Sequence, residues 1–161
     1  MASGIKYDYQ FRITPAVQAS VYTADRMLCA PFLISGVTVP PNLTLAIKSI
    51  TAIYLTAGAP ALDFIFFKRD VTITNGINQI CNVSNADLQA HGCFIESLGT
   101  GTWVSAALGG TPRIATIHPQ NLTVNSDANG IIKVVIMTRT AGLPTPASTS
   151  DFTFVFDFEV L

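Results

Sequence analysis

The sequence predicts an all-β fold: an antiparallel β-sandwich, jelly-roll-like, with at most one short helix near residues 84–90. Three observations predict it. Apolar side chains recur with period two, the spacing that puts alternate residues on opposite faces of a strand. Gly, Pro and Asn punctuate the chain at short intervals. Hydrophobic residues make up 49% of the chain and charged ones only 12%, about half the roughly 25% of an ordinary soluble domain. With 161 residues and 17.2 kDa, the chain is the size of one domain. Residues 1–19 read as an N-terminal arm or first strand, and 20–161 as a single sandwich.

The C-terminus is the clearest strand. Phe152, Phe154, Phe156, Phe158 and Val160 alternate with Thr153, Val155, Asp157 and Glu159, so the phenylalanines share one face and the carboxylates the other. Gly130 launches a second long strand over 131–140, with Ile132, Val134, Ile136 and Thr138 on one side. Residues 62–69, with Phe64, Ile65, Phe66 and Phe67 in succession, suit a strand buried on both faces. Shorter strands are expected over 16–22, 27–34, 48–56, 92–98, 102–107 and 114–118. Turn signals separate them: Pro40-Pro41-Asn42, Gly58-Ala-Pro60, Asn75-Gly76, Gly99 to Gly101, Gly109-Gly110 and Asn129-Gly130. Ser84-Asn-Ala-Asp87 resembles a capping box and predicts one or two helical turns. Pro144 and Pro146 stiffen the connector over 142–150.

Several chemistries are disfavoured. A net charge of −1 argues against a protein that tracks phosphates on nucleic acid. No run approaches the roughly 18 apolar residues of a membrane span. Lys6, Asp8 and Arg12 occupy the first dozen residues without an apolar run, so no secretory signal is expected and a cytosolic site of synthesis is. Cys29, Cys81 and Cys93 form an odd set without a CxxC pair; this fits reduced thiols, with a Cys81–Cys93 bridge as the alternative. Asn42, Asn82 and Asn121 open glycosylation patterns that carry little meaning without a signal peptide.

No catalytic set, metal site or cofactor motif is expected. Only His91 and His118 are available to a triad, and no GxSxG turn presents a serine. His91 and Cys93 could share a strand face as a Cys–His pair or half a zinc site; the plainer reading is a small thiol beside a turn histidine. Asp157 and Glu159 could be paired carboxylates of a glycosidase or calcium site. The plainer reading there is a solvated outer face or a charged guard on an edge strand. Gly99-Thr-Gly101 is a turn rather than a phosphate loop. Lys68-Arg69-Asp70 reads as a cap or local ion pair.

Candidate interface residues are Tyr7, Tyr9, Phe11, Trp103, Pro144 and Pro146. Tyr7, Tyr9 and Phe11 interleave with polar residues in an arm that either crosses to a neighbour or forms the first strand. Trp103 is an interface anchor or a core plug. So few ionised side chains cannot keep the exterior of a monomer hydrated, so part of it should be covered by other copies or by a shell.

A family resemblance adds to this. The segments Val21-Tyr-Thr-Ala-Asp25, Ser49-Ile-Thr-Ala-Ile-Tyr54, Ala61-Leu-Asp-Phe-Ile-Phe-Phe67 followed by Asp70 and Thr72, and Ser84-Asn-Ala-Asp-Leu88 resemble small β-sandwich virion proteins of tailed bacteriophages, the auxiliary capsid or decoration proteins. The likeness covers roughly 20–161; where such relatives are often more acidic, this chain reads Phe67-Lys-Arg-Asp70. It implies a non-enzymatic structural protein on the capsid exterior of a virion, contact with a major capsid protein, and a homo-oligomer, with trimers at a three-fold axis. Alternatives are a tail, baseplate or head-fibre component, and a carbohydrate-binding sandwich whose Trp103 stacks on a sugar ring.

Overall fold

A computed structural model describes residues 8–34, 41–105, 111–120, 122–140 and 143–161. Among them eleven strands, one α-helix and one 3₁₀ turn follow one another: β1 (Asp8–Ile13), β2 (Arg26–Met27), β3 (Phe32–Ile34), β4 (Thr44–Tyr54), β5 (Leu62–Phe67), α1 (Asn85–His91), β6 (Gly92–Leu98), the 3₁₀ turn Thr100–Thr102, β7 (Val104–Ser105), β8 (Arg113–Ile117), β9 (Thr123–Asn125), β10 (Ile132–Thr138) and β11 (Phe152–Val160). One sheet runs β1-β11-β4-β8-β7, with β9 also on β4; the other runs β2-β10-β5-β6, with β3 also on β10.

The pairing is nested and antiparallel throughout. First meets last (β1 with β11), β2 and β3 meet β10, β4 meets β8 and β9, and β5 meets β6. A long hairpin rolled into two facing sheets has this order, which is the jelly roll. Between the sheets lies one aromatic-rich core. Phe152, Phe154, Phe156 and Phe158 all turn inward and are essentially fully buried. The Phe64 ring from the opposite sheet packs edge-on against Phe154 and Phe156 at 5.7 and 6.0 Å, and Phe66 against Phe156 at 6.1 Å, the geometry that the ring quadrupole favours.

Three long strands and the helix follow the sequence pattern. Gly92–Leu98 forms β6, and the near-continuous apolar run forms β5. Ser84 caps α1 by accepting from the Asp87 N–H at 3.0 Å. Gly92 ends that helix where a Cβ would sit 2.5 Å from the Leu88 carbonyl oxygen. Gly130 takes φ +73° at the turn into β10, a conformation that glycine adopts without strain.

Elsewhere the structure corrects the pattern. Residues 16–22 form no strand, only the isolated bridge Val17–Cys29; their backbone instead bonds to the connector, Val17 N–H to Thr149 O and Tyr22 N–H to Pro144 O. Residues 27–34 split into β2 and β3 around Pro31, which has no N–H to give to the ladder. The strand expected over 48–56 begins earlier, at Thr44. In 102–107 the 3₁₀ turn takes the start, leaving two residues of strand, and 106–107 lie outside the described residues. β9, three residues with a single inward Val124, is too short for its alternation to stand out. β11 lies between β1 and β4, so Asp157 and Glu159 do not guard an edge.

The far side of the β2-β10-β5-β6 sheet is also apolar. Met27, Phe67, Val135 and Met137 are buried there with Val71, and Ile65, Ile73, Cys81 and Val83 pack against them. Their cover is the segment over 71–83, which folds back across the sheet and exchanges bonds with Met27 through Asn78 and Gln79. Among the described residues no helix is long and apolar enough to cross a membrane.

Candidate functional site

The candidate interface residues fall in two places. Tyr9 and Phe11 sit on β1, half-buried, paired with Phe158 and Phe156 of β11. The Phe11 ring stacks 6.1 Å from Phe32. Asp8–Ile13 is therefore the outer strand of a sheet within the chain; Tyr7 lies outside the described residues. Trp103, Pro144 and Pro146 lie at one end of the sandwich and are buried. Trp103 is 6% exposed, packs edge-on against Tyr54 at 6.2 Å, and its indole N–H donates to the Pro60 carbonyl at 2.8 Å. A ring so covered offers no face on which a sugar could stack.

That end of the molecule is built by connections that bond to one another. The Leu55 N–H donates to Asp151 O, and the Thr145 N–H donates to the Tyr54 hydroxyl. The Asp151 carboxylate accepts from the hydroxyls of Thr56 and Ser148 at 2.5 and 2.8 Å and from the Ala147 N–H at 2.5 Å. Burial pushes this carboxyl up, but the bonds it accepts outweigh that and hold it below its ordinary value. On this rigid base three apolar side chains face solvent: Val21 (53% exposed), Leu55 (53%) and Val104 (62%). Val21 precedes Tyr22, whose N–H bonds Pro144, Leu55 follows Tyr54, whose hydroxyl accepts from Thr145, and Val104 follows Trp103, which packs on Tyr54. No sequence pattern marks them, because each is a lone aliphatic residue in or beside a loop.

Several charges on the flanks form internal pairs. Arg139 bonds Asp63 through Nε and Asp25 through one terminal nitrogen, each at 2.6 Å. Lys133 Nζ lies 2.7 Å from Asp70 and donates to the Val71 carbonyl, so Asp70 makes a pair across the fold rather than a local one. The Arg69 guanidinium lies 3.4 Å from His91 Nε2, placing His91 at the end of α1; the Cys93 side chain lies outside the description. Cys29 and Cys81 are free thiols, and burial pushes Cys29 up to about 12, which makes it an inert packing group. No cluster of three or more metal-ligating side chains occurs among the described residues.

A second polar locus lies on the open face of the β1-β11-β4 sheet. The β4–β11 register slips at Asp157/Phe158, so that Lys48 and Ser49 together oppose Asp157. A bulge of this kind re-aims side chains. Here Ser49 donates to Asp157 at 2.5 Å, Gln10 donates to its other oxygen at 2.8 Å, and Lys48 reaches Glu159 at 2.7 Å. Glu159 and Ser49 are buried by these contacts, so the carboxylates sit in a bonded network rather than on a freely solvated face. The alternation flags the two carboxylates; the bulge that gathers Gln10, Lys48 and Ser49 around them has no local signature.

No family model matches the chain, and no curated protein does. Among solved structures the chain is similar to one from tomato aspermy virus, 12% identical over 96% of this chain and 76% of that one, with a TM-score of 0.41. It is similar also to chains from the native virion of Kashmir bee virus (12% identical, 94% and 68% covered, TM-score 0.32) and from nora virus (14%, 98% and 55%, TM-score 0.31). At such scores it is the strand order of this chain, and not the likeness, that defines the fold.

Proposed function

We propose that the chain is a non-enzymatic structural subunit of a virion that works by being packed against neighbours. In its more specific form the reading is an auxiliary capsid protein of a tailed bacteriophage, self-associating, as a trimer, and seated on the major capsid protein at the shell exterior. The observation that carries it is the loop end bearing Val21, Leu55 and Val104 on a molecule whose few charges bond inward. Fully burying an aliphatic side chain contributes roughly 1.5–3 kcal/mol. These three are already about half covered, so a neighbour would add roughly half that for each. Jelly rolls recur in viral shells and in lectins; the resemblance of the segments over 21–25, 49–54, 61–72 and 84–88 to phage decoration proteins favours the shell.

Two measurements test it. Light scattering on the purified chain should return a closed oligomer, and Val104→Asp with Leu55→Asp should shift it to monomer while leaving the melting temperature nearly unchanged. Mass spectrometry and image reconstruction of native particles should find the chain on the capsid exterior; a stable wild-type monomer absent from particles overturns the reading. Deleting residues 1–9 separates two roles of the arm. Loss of assembly with folding retained indicates an exchanged arm, and a lowered melting temperature with the oligomer intact indicates a strand serving its own sheet.

A further inference from the structure

The roof over 71–83 is closed by bonds within itself. The Asn82 side chain ties its two limbs together: Oδ1 accepts from the Thr74 and Asn75 N–H groups at 3.1 Å, and Nδ2 donates to the Thr74 hydroxyl at 2.7 Å. Nearer the tip, Asn75 Nδ2 donates to the Ile80 carbonyl at 2.9 Å and the Gly76 N–H donates to Gln79 Oε1 at 3.0 Å. Asn78 turns the chain there at φ +57°, a conformation that asparagine tolerates better than most residues. A compact loop closed by its own side chains keeps its shape without the surface beneath it.

Its hold on the sandwich is narrower. The Asn78 N–H donates to the Met27 carbonyl and the Met27 N–H to the Gln79 carbonyl, each at 2.9 Å. A longer bond, 3.4 Å, joins the Thr23 N–H to Asn78 Oδ1. Packing is shallow too: every residue from 72 to 83 is half-buried or exposed, although the floor of Met27, Phe67, Val135 and Met137 is buried. Ile73, Cys81 and Val83 rest half-buried on that floor, and Ile77 on the margin of the main core. The two ends are fastened separately. Lys133 Nζ grips Asp70 and the Val71 carbonyl at 2.7 and 2.6 Å, and Ser84 caps α1. Shallow packing and solvent-facing bonds are the properties of a segment that opens at less cost than global unfolding.

We infer that the roof is a strap that lifts off the sheet as one unit while the sandwich stays folded, held at its fastened ends. The floor keeps the closed form dominant, because opening returns Phe67, Val135 and the two methionines to water. In the open form the chain uncovers a second apolar face without unfolding. The inference concerns the roofed sheet and is independent of the virion reading.

Residue-resolved hydrogen exchange on the full chain, read by NMR where the rate reports the opening equilibrium, tests it. The N–H groups of Met27, Gly76 and Asn78 should share one protection factor, at least about tenfold below that of the ladder N–H groups of β4 and β11. Two variants separate local from global opening. Ile50→Val trims the main core, which is packed in both the closed and the open form. It should speed exchange in β4 and β11 about two- to tenfold and leave the three roof-linked groups unchanged. Asn82→Ala loosens the roof and should speed Met27, Gly76 and Asn78 together, about three- to tenfold, although their own bonds run elsewhere. If Asn82→Ala does not fold, Asn75→Ala, which removes the side-chain bond to Ile80, takes its place. Equal acceleration of roof-linked and ladder groups by Ile50→Val would show that the roof opens only with the whole fold, and overturns the inference. So does a spread of unrelated protection factors, or a response to Asn82→Ala confined to Thr74 and Asn75.

Discussion

The outer faces of the two sheets are made on opposite plans. On the β2-β10-β5-β6 sheet, successive residues Phe64, Ile65, Phe66 and Phe67 and again Val134, Val135, Ile136 and Met137 are apolar, so both faces need cover. The chain supplies it with the segment over 71–83, pinned by Asn and Gln side chains: the Thr74 and Asn75 N–H groups both donate to Asn82 Oδ1 at 3.1 Å, and Asn75 donates to the Ile80 carbonyl. On the β1-β11-β4-β8 sheet the strands alternate. Gln10 with Asp157, Thr51 with Thr116 and Thr14 with Thr153 form hydrogen-bonded pairs on its outer face, the threonine pairs at 2.9 and 2.8 Å. Among the described residues no segment covers Lys48, whose side chain is 58% exposed on this face. The lesson is that hydroxyls, amides and a few paired ions hydrate one side of this charge-poor chain, while a loop makes the other side into a second small core.

Several substitutions can break or sharpen this contrast. The largest effect is expected at Phe67, on the outer face but beneath the roof. Phe67→Ala should cost about 3–5 kcal/mol by denaturant unfolding, as much as Phe156→Ala between the sheets; a loss below about 1 kcal/mol would mean that the roof adds no core. Next is Asp151, where the open sheet's last strand begins and the polar bonds are buried. Its folded pKa lies below its unfolded one, near 3.9, so it stabilises at neutral pH and that contribution is lost as pH falls through the folded value. Asp151→Asn should therefore cost about 2 kcal/mol at pH 7, with its melting temperature converging on wild type as pH falls below about 4. A gap independent of pH would show that shape rather than charge is at stake.

On the open face proper, Ser49→Ala should cost only about 1 kcal/mol, because water can replace the hydroxyl at Asp157. A loss comparable to that at Phe67 would erase the distinction between the faces. The smallest effect has the opposite sign. Glu96 pairs with Phe64 on β6, which ends the roofed sheet, and so turns toward the core side; burial pushes its carboxyl up. Glu96→Gln should raise stability by less than about 1 kcal/mol at pH 7, a gain that disappears at pH values where the carboxyl is protonated. If the variant also self-associates more readily, the charge is serving to block pairing at that edge.

The comparison also explains which parts of the molecule the sequence announces. Alternating Phe152 to Phe158, the doubly apolar β5 and the Ser84 cap are local patterns, and each forms where the residues place it. Residues 16–22 look like a strand because Val17, Val21 and Tyr22 are apolar, yet their backbone partners lie over a hundred residues away in the connector. Trp103 and Pro144 belong to a loop end that exists only when four connections meet, and Lys48 and Ser49 both oppose Asp157 only because one residue is added to β4 opposite β11.

By itself the sequence determined that this protein is an all-β sandwich with a phenylalanine-lined core and too little charge for an ordinary surface. Period-two spacing and composition act within a few residues and survive any arrangement of the rest. Tertiary structure alone decided which strand lies at an edge, which apolar faces are roofed, which aliphatic residues stay exposed, and where the polar network around Asp157 gathers. Those properties depend on register and on contacts between distant segments, which one residue of slip would change without altering the local pattern.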